Sequence, residues 1–224
     1  FVKYIQENTK IPVLGHSEGI CHNYIDREAD LEKALRIALD SKLQYPAACN
    51  AMENLLVHKE VASKIIPQLV AKFEEKGVLL MGCEKSCEIY PGLAAASEKE
   101  WDKEYNDLKL SFKIVENLDE AISFINEHGS GHTDTIITDN LNSTEKFMNG
   151  VDSSSVICNA STRFADGFRY GLGAEIGIST NKTHARGPVG LEGLVIYKYR
   201  VYGNGQIVSD YSGENARSFT HKSL

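Results

Sequence analysis

Hydrophobic residues recur along this chain with two different periods, and each period predicts a different kind of element. After Asp30 the apolar positions fall at i, i+3, i+4, i+7 and i+8, the spacing that places them on one face of a helix. A second helical stripe contains Pro67 and ends at Gly77, so we expect a kinked or split helix that stops there. The two stripes comprise Leu31, Ala34, Leu35, Ala38 and Leu39, and then Val61, Ile65, Leu69 and Phe73.

Other segments are short apolar or alternating runs bounded by turn residues, which predicts strands. Asn117 followed by Glu120 resembles a capping box and predicts the start of a helix over 118–128. Strands that alternate with helices predict an α/β fold in which helices flank a mostly parallel sheet. The expected strands lie at 11–14, 20–25, 55–58, 78–81, 108–114, 135–138 and 155–159, with a further helix at 143–150.

The pattern near the end of the chain predicts a β-hairpin. Residues 195–202 alternate, Gly203-Asn204-Gly205 supplies a turn, and residues 206–209 continue the second strand. Aliphatic and aromatic side chains occupy both faces of this segment. Because an isolated hairpin is only marginally stable, we expect it to pack against another domain or another subunit.

Composition and charge narrow the function classes. The 224 residues are 42% hydrophobic and 25% charged, which is typical of a soluble globular protein. A net charge of −7 argues against binding to a nucleic-acid backbone, and no apolar run approaches the roughly 20 residues of a membrane span. We therefore expect neither a nucleic-acid partner nor a membrane partner.

The five cysteines suggest a reducing compartment. They are scattered, odd in number and follow no secretory leader, which predicts free thiols in the cytoplasm. Neither the Cys83–Cys87 pair nor the Cys21-His22 dyad has a matching second pair of ligands, so we expect no metal site.

Cys49 is the candidate nucleophile. Pro46 disfavours helix at the residue before it, and the small residues after it favour a short helical turn. At such a strand-to-helix junction the thiol would face unpaired N–H groups that lower its pKa. The alternative is a buried and inert thiol, the usual state of a free cysteine.

Three further sets of residues have more than one interpretation. The spacing of glycines over 171–177 is G-x-G-x-x-x-G, which departs from the dinucleotide fingerprint and favours a close-packed loop lining a site. Asn159 and Arg163 follow a predicted strand, at the sheet edge where ligands often bind, but a surface turn with an ordinary ion pair explains them equally well.

A cysteine hydrolase would need a histidine base, and the sequence spacing pairs no histidine with Cys49. The candidates are His16, His22, His58, His128, His132 and His184.

Several segments together resemble one enzyme family, γ-glutamyl phosphate reductase, also called glutamate-5-semialdehyde dehydrogenase. The resemblance is to the C-terminal half of that enzyme, which also occurs as the reductase part of Δ1-pyrroline-5-carboxylate synthetase. The family belongs to the aldehyde dehydrogenase superfamily. The matching segments are Lys10–His22, Tyr45–Ala51, Ser130–Asp134, Asn159–Gly167, Gly171–Thr180 and His184–Glu192.

The resemblance implies an activity. An enzyme of this family uses NADPH to reduce L-glutamyl 5-phosphate to glutamate 5-semialdehyde, with release of phosphate, in proline biosynthesis. Cys49 falls on the family's nucleophile and would carry the glutamyl group as a thioester. Glu104 resembles the superfamily glutamate that holds the nicotinamide ribose, and Asn159, Arg163 and Phe164 are the expected contacts of the glutamyl substrate. Pro12 or Val13 replaces the glutamate base of the hydrolytic aldehyde dehydrogenases, which favours reduction over hydrolysis.

The resemblance also implies an organisation. We expect the end of a cofactor-domain segment at 1–25, a catalytic α/β domain at 26–190 and an oligomerisation hairpin with a tail at 191–224. The first residues look like the tail of an uncapped helix, so we expect the chain to begin within a larger protein that contains most of the cofactor-binding portion. The expected partners are further copies of the chain, through the 194–210 hairpin, and a glutamate kinase. The main alternative is an oligomerising fragment that has no activity because it lacks its cofactor domain.

Overall fold

The computed structural model describes residues 2–221, and its centre is a seven-stranded sheet in which every pairing is parallel. The strand order is β4-β3-β5-β2-β1-β6-β7. The strands are β1 (Cys21–Ile25), β2 (Met52–His58), β3 (Leu79–Gly82), β4 (Ala94–Ala95), β5 (Lys109–Val115), β6 (Thr133–Ile137) and β7 (Ser155–Cys158). Together with its helices, this sheet confirms the α/β fold predicted from the sequence.

Helices connect the strands and cover both faces of the sheet, as parallel strands require. The Asp30 carboxylate accepts a hydrogen bond from Lys33 N at 2.9 Å at the start of the helix Leu31–Leu43, and Asn117 caps the helix Leu118–His128 in the same way through Glu120 N at 3.0 Å. The helix that contains Pro67 is continuous, and it is followed by Gly77 at φ +73°. The helices are α1 (Val2–Asn8), α2 (Leu31–Leu43), α3 (Lys59–Glu74), α4 (Glu84–Ile89), α5 (Leu118–His128) and α6 (Leu141–Gly150).

The core has two layers, one on each face of the sheet. Alternate residues of β2 contribute to opposite layers, with Leu55 and Val57 in one and Leu56 in the other. The first layer packs against α2 and α3, and the second contains Trp101 and Phe124. Because both faces are covered, every residue of β2 is buried, and this central strand provides a rigid support for the segments at its ends.

One expected strand is missing. Residues 11–14 form no strand, and Ile11 is 75% exposed. Pro12 has no N–H to donate to a neighbouring strand, and the short apolar run at this point lies against no sheet edge. The expected strand at 11–14 is therefore wrong.

The chain divides into two compact units, residues 2–194 and 195–221. In the second unit, residues 195–207 form no paired strand, although the sequence predicted a hairpin there. Its large side chains are exposed, Ile196 by 98% and Tyr199 by 84%. A two-stranded ribbon with apolar side chains on both faces needs a covering surface, and the described residues of this unit provide none. The small antiparallel pair lies instead in the first unit, between β8 (Ile178–Ser179) and β9 (Gly187–Pro188).

Within residues 2–221, no helix combines the length and the apolar character needed to cross a bilayer.

Candidate active site

Cys49 lies on a double turn between α2 and β2. Ala48 N donates to Tyr45 O at 3.2 Å, and Ala51 N donates to Ala48 O at 2.8 Å, so neither turn continues as a helix. The chain leaves a helix and enters a strand here, so the expected strand-to-helix junction is wrong. The Cys49 side chain is half-buried and therefore reachable.

The electrostatic surroundings of Cys49 also differ from the expectation. Burial raises the pKa of its thiol above the ordinary value, the carboxylate of Glu104 raises it further, and Glu175 adds a smaller effect in the same direction. Its own backbone N–H and the guanidinium of Arg163 lower the pKa but do not outweigh burial. Without the N–H groups of a first helical turn, the resting sulfur is a protonated thiol, and it needs a base when it attacks.

The backbone of Cys49 is tightly packed against the start of β1. A Cβ atom added to Gly19 would lie 2.0 Å from Cys49 O, so only glycine fits at this contact. The Cys21 thiol donates to the same carbonyl at 3.3 Å, and burial raises the pKa of Cys21 well above its ordinary value, which keeps that proton in place. The nucleophile is thus fixed by its backbone and free only at its side chain.

Two histidines lie beside the sulfur. One ligand atom each from His16, His132 and Cys49 lie within 4.8 Å of one another. His16 Nδ1 is 2.8 Å from Ile178 O, and because a carbonyl can only accept, Nδ1 carries the proton and Nε2 has the lone pair. A cavity of about 330 Å³ opens at His16, between Ile178 and Val189.

His132 is fully buried, and burial lowers its pKa to about 3, so the ring is neutral. Its Nδ1 lies 2.9 Å from Thr133 Oγ1, and its Nε2 has no hydrogen-bond partner within residues 2–221. Neither His16 nor His132 makes a hydrogen bond to Cys49 Sγ in the described part of the chain. Because ring nitrogens of both histidines lie within 4.8 Å of the sulfur, the missing bond at rest does not by itself distinguish a cysteine hydrolase from another enzyme with a cysteine nucleophile.

A buried polar network supports this cluster from the adjoining strands. Asp134 Oδ1 accepts from His22 N at 2.7 Å and from His22 Nδ1 at 2.9 Å. Asn54 Nδ2 donates to His22 Nε2 at 3.2 Å, and Ser153 donates to the other oxygen of Asp134. His22 is therefore satisfied on both nitrogens, and its role is to tie β1 to β2 and β6.

The two acidic neighbours of Cys49 come from separate loops. Glu104 lies in the segment before β5, and its carboxylate is the largest charge effect on the Cys49 thiol. Glu175 accepts from Gly167 N at 2.8 Å within the glycine-rich loop, and burial raises the pKa of its own carboxyl. The glycine-rich loop thus borders the site, as the sequence suggested, although the sequence did not single out Glu175.

The expected substrate residues are divided between two places. Arg163 Nε donates to Gln44 Oε1 at 2.8 Å, and its guanidinium lies 5.8 Å from the Tyr45 ring centroid, in the segment that leads to Cys49. Phe164, half-exposed, lines a cavity of about 690 Å³ that Asn159 also lines.

Asn159 has a structural role of its own. Its side chain accepts from Thr138 N at 3.0 Å and donates to Thr138 O at 2.7 Å, just beyond the carboxyl end of β6. Cys49, by contrast, precedes β2, so the two residues lie at opposite edges of the sheet. The contact of Asn159 with substrate stays a prediction.

The site lies at the amino edge of the parallel sheet. Cys49 comes before β2, His132 before β6 and Glu104 before β5, whereas ligand sites in open α/β sheets more often lie at the carboxyl edge. In the sequence, the position of these three residues just before predicted strands could have indicated that they share one edge of the sheet. The same criterion would have missed His16, because its loop forms no strand.

Comparisons with known proteins identify relatives of this chain by sequence and by fold. No family model matches the chain. The γ-glutamyl phosphate reductase of Methanococcoides burtonii is 58% identical over 229 residues, a match that takes in 100% of this chain and 51% of that protein. The crystal structure of γ-glutamyl phosphate reductase from Thermotoga maritima matches with a TM-score of 0.88 at 44% identity, and covers 92% of this chain and 50% of that one.

More distant structures share the fold alone. An acetylating aldehyde dehydrogenase from Geobacillus thermoglucosidasius matches with a TM-score of 0.64 at 18% identity, over 91% of this chain and 55% of that one. The glyceraldehyde-3-phosphate dehydrogenase GapN of Methanocaldococcus jannaschii, complexed with NADP, matches with a TM-score of 0.60 at 18% identity, over 80% and 47%. The chain spans about half the length of the curated relatives it matches. By sequence and by its aldehyde-dehydrogenase-like fold, the chain is homologous over its whole length to one half of the γ-glutamyl phosphate reductases.

Proposed function

We propose that this chain forms the catalytic half of an NADPH-dependent reductase that converts L-glutamyl 5-phosphate to glutamate 5-semialdehyde in proline biosynthesis. The observation that carries the proposal is the placement of Cys49. Its reachable sulfur is held on a rigid turn, and ring nitrogens of two imidazoles lie within 4.8 Å of it. The identity of 58% to a γ-glutamyl phosphate reductase supports the choice of substrate.

The first step is formation of a thioester. Burial and Glu104 keep the Cys49 thiol protonated, so a base must take the proton as the sulfur attacks the acyl carbon. His16 Nε2 is suited to this, because its Nδ1 proton is committed to Ile178 O and its lone pair is free. The sulfur–carbon bond forms, the bond between the acyl carbon and the phosphate oxygen breaks, and phosphate leaves with the electron pair.

The second step reduces the thioester. NADPH, when bound, supplies the hydride. The Glu104 carboxylate lies close enough to Cys49 to raise its pKa, and it precedes β5 as the family pattern requires, so this site fits a ribose whose hydroxyls donate to a carboxylate. The backbone N–H of Cys49 would donate to the developing oxyanion, and loss of one such donor typically costs about 10²–10³ in rate. The oxyanion of the resulting thiohemiacetal collapses to the aldehyde as the carbon–sulfur bond breaks, and the released sulfur takes its proton back from His16 Nε2.

The charges around the site suit an anionic substrate. Arg163 is held by Gln44 and Tyr45 in the segment leading to Cys49, and its positive charge acts on the thiol. A guanidinium at this position would attract and orient a carboxylate or phosphate. Phe164, half-exposed beside it, would cover the aliphatic part of a glutamyl group.

The proposal extends to partners. The exposed apolar side chains of residues 195–208 support assembly with further copies of the chain, in which this segment pairs as strands and becomes covered. An acyl phosphate is labile in water, so a glutamate kinase that makes it is the second partner we propose. The five free thiols support a cytoplasmic location.

The direct test is Cys49→Ser in the full-length enzyme. We expect the variant to lose two activities, the reduction of the acyl phosphate and the phosphate-dependent reverse oxidation. The reason is that a serine hydroxyl is a much weaker nucleophile than the cysteine sulfur. Cys158→Ser is the matched control, since Cys158 lies at the carboxyl end of β7, and it should retain activity. Turnover of Cys49→Ser at the wild-type rate would refute the proposal.

A titration of NADPH against the isolated chain tests the alternative of a non-catalytic oligomerising fragment. Binding with turnover supports a catalytic unit complete in this chain. Absence of binding supports the fragment interpretation for the isolated chain, and activity of the full-length enzyme then decides whether Cys49 acts there.

A further inference from the structure

The group formed by His16, His132 and Cys49 contains one more imidazole than the proposed reaction requires. The reaction needs one base, whereas two imidazoles lie beside the sulfur. His132 Nε2 is the unexplained atom, because it is fully buried and has no hydrogen-bond partner within residues 2–221. A buried polar atom without a partner costs about 1–3 kcal/mol, so its presence calls for an explanation.

We propose that His16, His132 and Cys49 form a binding site for a single Zn²⁺ ion. The ligands are Nε2 of each histidine and Sγ of the cysteine, and the fourth position is open to water or an anion. Binding displaces the thiol proton to the buffer, so one proton is released for each ion bound. The bound ion blocks the sulfur reversibly, a consequence that rests on the proposed function, whereas the site itself does not.

The geometry is within reach of tetrahedral zinc. Bond lengths of about 2.0–2.1 Å to nitrogen and about 2.3 Å to sulfur place ligand atoms about 3.4–3.6 Å apart. One ligand atom from each of the three residues lies within 4.8 Å of the other two, so each of those separations closes by little more than about 1 Å. The half-buried side chains of Cys49 and His16 can turn to do this, while buried His132 stays in place.

The surroundings of both histidines resemble those of metal ligands. A ligating histidine usually donates its second ring N–H to a carbonyl or another acceptor, which fixes the tautomer and the ring plane. His16 does this to Ile178 O at 2.8 Å, and Thr133 Oγ1 lies 2.9 Å from His132 Nδ1. In both rings the nitrogen left for the ion is Nε2.

The donor set and the local charge select the metal. One thiolate and two imidazoles suit a borderline-soft ion such as Zn²⁺ and do not suit Mg²⁺ or Ca²⁺, which prefer oxygen. The carboxylates of Glu104 and Glu175 act on Cys49 and add negative potential that favours a cation.

The test is metal binding to the purified chain. Zn²⁺ is titrated in competition with a chromophoric chelator, and Co²⁺ serves as the spectroscopic substitute. We expect one ion per chain, release of one proton, a thiolate-to-cobalt charge-transfer band, and the intense visible bands of a tetrahedral site. An octahedral spectrum without the charge-transfer band, or a stoichiometry unrelated to these ligands, would mean an adventitious ion only and would overturn the proposal.

Variants locate the site. His16→Ala and Cys49→Ser should each weaken Zn²⁺ binding by at least about 100-fold, and Thr133→Val by about 10–100-fold because it removes the support of His132. His128→Ala and Cys158→Ser, outside the group, should bind as the wild type does. Since His132→Ala removes a fully buried ring and threatens folding, Thr133→Val tests that ligand more safely. Unchanged affinity in His16→Ala or Thr133→Val would refute the assignment.

The outcomes separate this proposal from the proposed function. If Cys49→Ser abolishes turnover but zinc affinity is the same in all variants, the reductase mechanism is supported and the metal site is refuted. If zinc binds as expected and Cys49→Ser remains active, the metal site is supported and the mechanism is refuted. Slower alkylation of Cys49 in the presence of Zn²⁺, reversed by a chelator, would show directly that the ion covers the sulfur.

Discussion

The contact between Gly19 and Cys49 supports a quantitative prediction. In Gly19→Ala, the added Cβ would lie 2.0 Å from Cys49 O, 2.6 Å from Cys49 C and 2.7 Å from Cys49 Cα. Every near atom is backbone, so no side chain can rotate away to relieve the clash. The turn that carries the nucleophile, or the start of β1, must move.

The size of the effect follows from that distance. Non-bonded Cβ contacts shorter than 3.0 Å are essentially never observed, so the gap to Cys49 O must widen by about 1 Å. Overpacking of this kind typically costs about 1–3 kcal/mol of stability. If the turn moves instead, a displacement of about 1 Å at a reacting group can cost about 10²-fold in rate. We therefore expect Gly19→Ala to lower the free energy of unfolding, to lower the catalytic rate, or to lower both by smaller amounts.

The assay measures both quantities on the same variant. Urea unfolding gives the free energy of unfolding of the chain, kcat/KM of the full-length enzyme gives the rate effect, and mass spectrometry of alkylated peptides follows the reactivity of Cys49. Gly177→Ala is the matched control, because its Cβ would meet nothing within 4 Å and its backbone is not in the left-handed region. If Gly19→Ala matches the wild type in unfolding free energy, turnover and alkylation rate, the close packing of the nucleophile is refuted.

Two further predictions concern the exposed segment and a buried ion pair. The side chain of Ile196 is 98% exposed, and Ile196→Glu should lower the mass of the assembly measured by light scattering. Lys198→Glu, the charge control, should leave the mass unchanged. An unchanged mass in Ile196→Glu would contradict the proposed interface. Burial raises the pKa of the Glu53 carboxyl to about 7, although Lys42 Nζ lies 2.6 Å from it. The folded chain therefore holds the Glu53 proton more tightly than the unfolded chain does. As a result, the free energy of unfolding should fall as pH rises from about 4.5 to about 7. Glu53→Gln should flatten this decline in urea unfolding measured across the pH range, and a slope equal to that of the wild type would count against the raised pKa.

The elements that could be predicted from the sequence are those specified by local chemistry. The stripe that begins after Asp30 is α2, with the Asp30 carboxylate as its N-cap, and the helix predicted at 118–128 has those bounds with Asn117 as its cap. Caps and apolar periods involve residues only a few positions apart, so the sequence contains all of the information. The expected kink or split at Pro67 did not interrupt the helix, because packing of its apolar face holds α3 together.

The strand predictions failed where stability depends on distant residues. The run at 11–14 has the apolar residues of a strand but lies against no sheet edge, and the hairpin at 195–209 has the right alternation and turn but no covering surface within the described unit. A strand is stable only when it is paired, and the sequence pattern shows suitability for pairing rather than the presence of a partner. The same argument explains Cys49, whose pKa is raised by burial and then by Glu104, which is distant in the sequence.

The site could not be assembled from the sequence because it is a product of strand order. In the sheet, β1 lies between β2 and β6, so the segments that precede these three strands meet at one edge. Gly19 is in the first segment, Cys49 in the second and His132 in the third, which brings together residues that are far apart in the chain. His22 and Asp134 fix the register of β1 against β6 through a buried pair, with a separation of 2.9 Å between His22 Nδ1 and Asp134 Oδ1. Because the side-chain period of a strand is two, a slip of one residue would move His132 and Cys49 out of reach of each other, so the chemistry of this edge depends on the register of these strands as much as on the identity of the nucleophile.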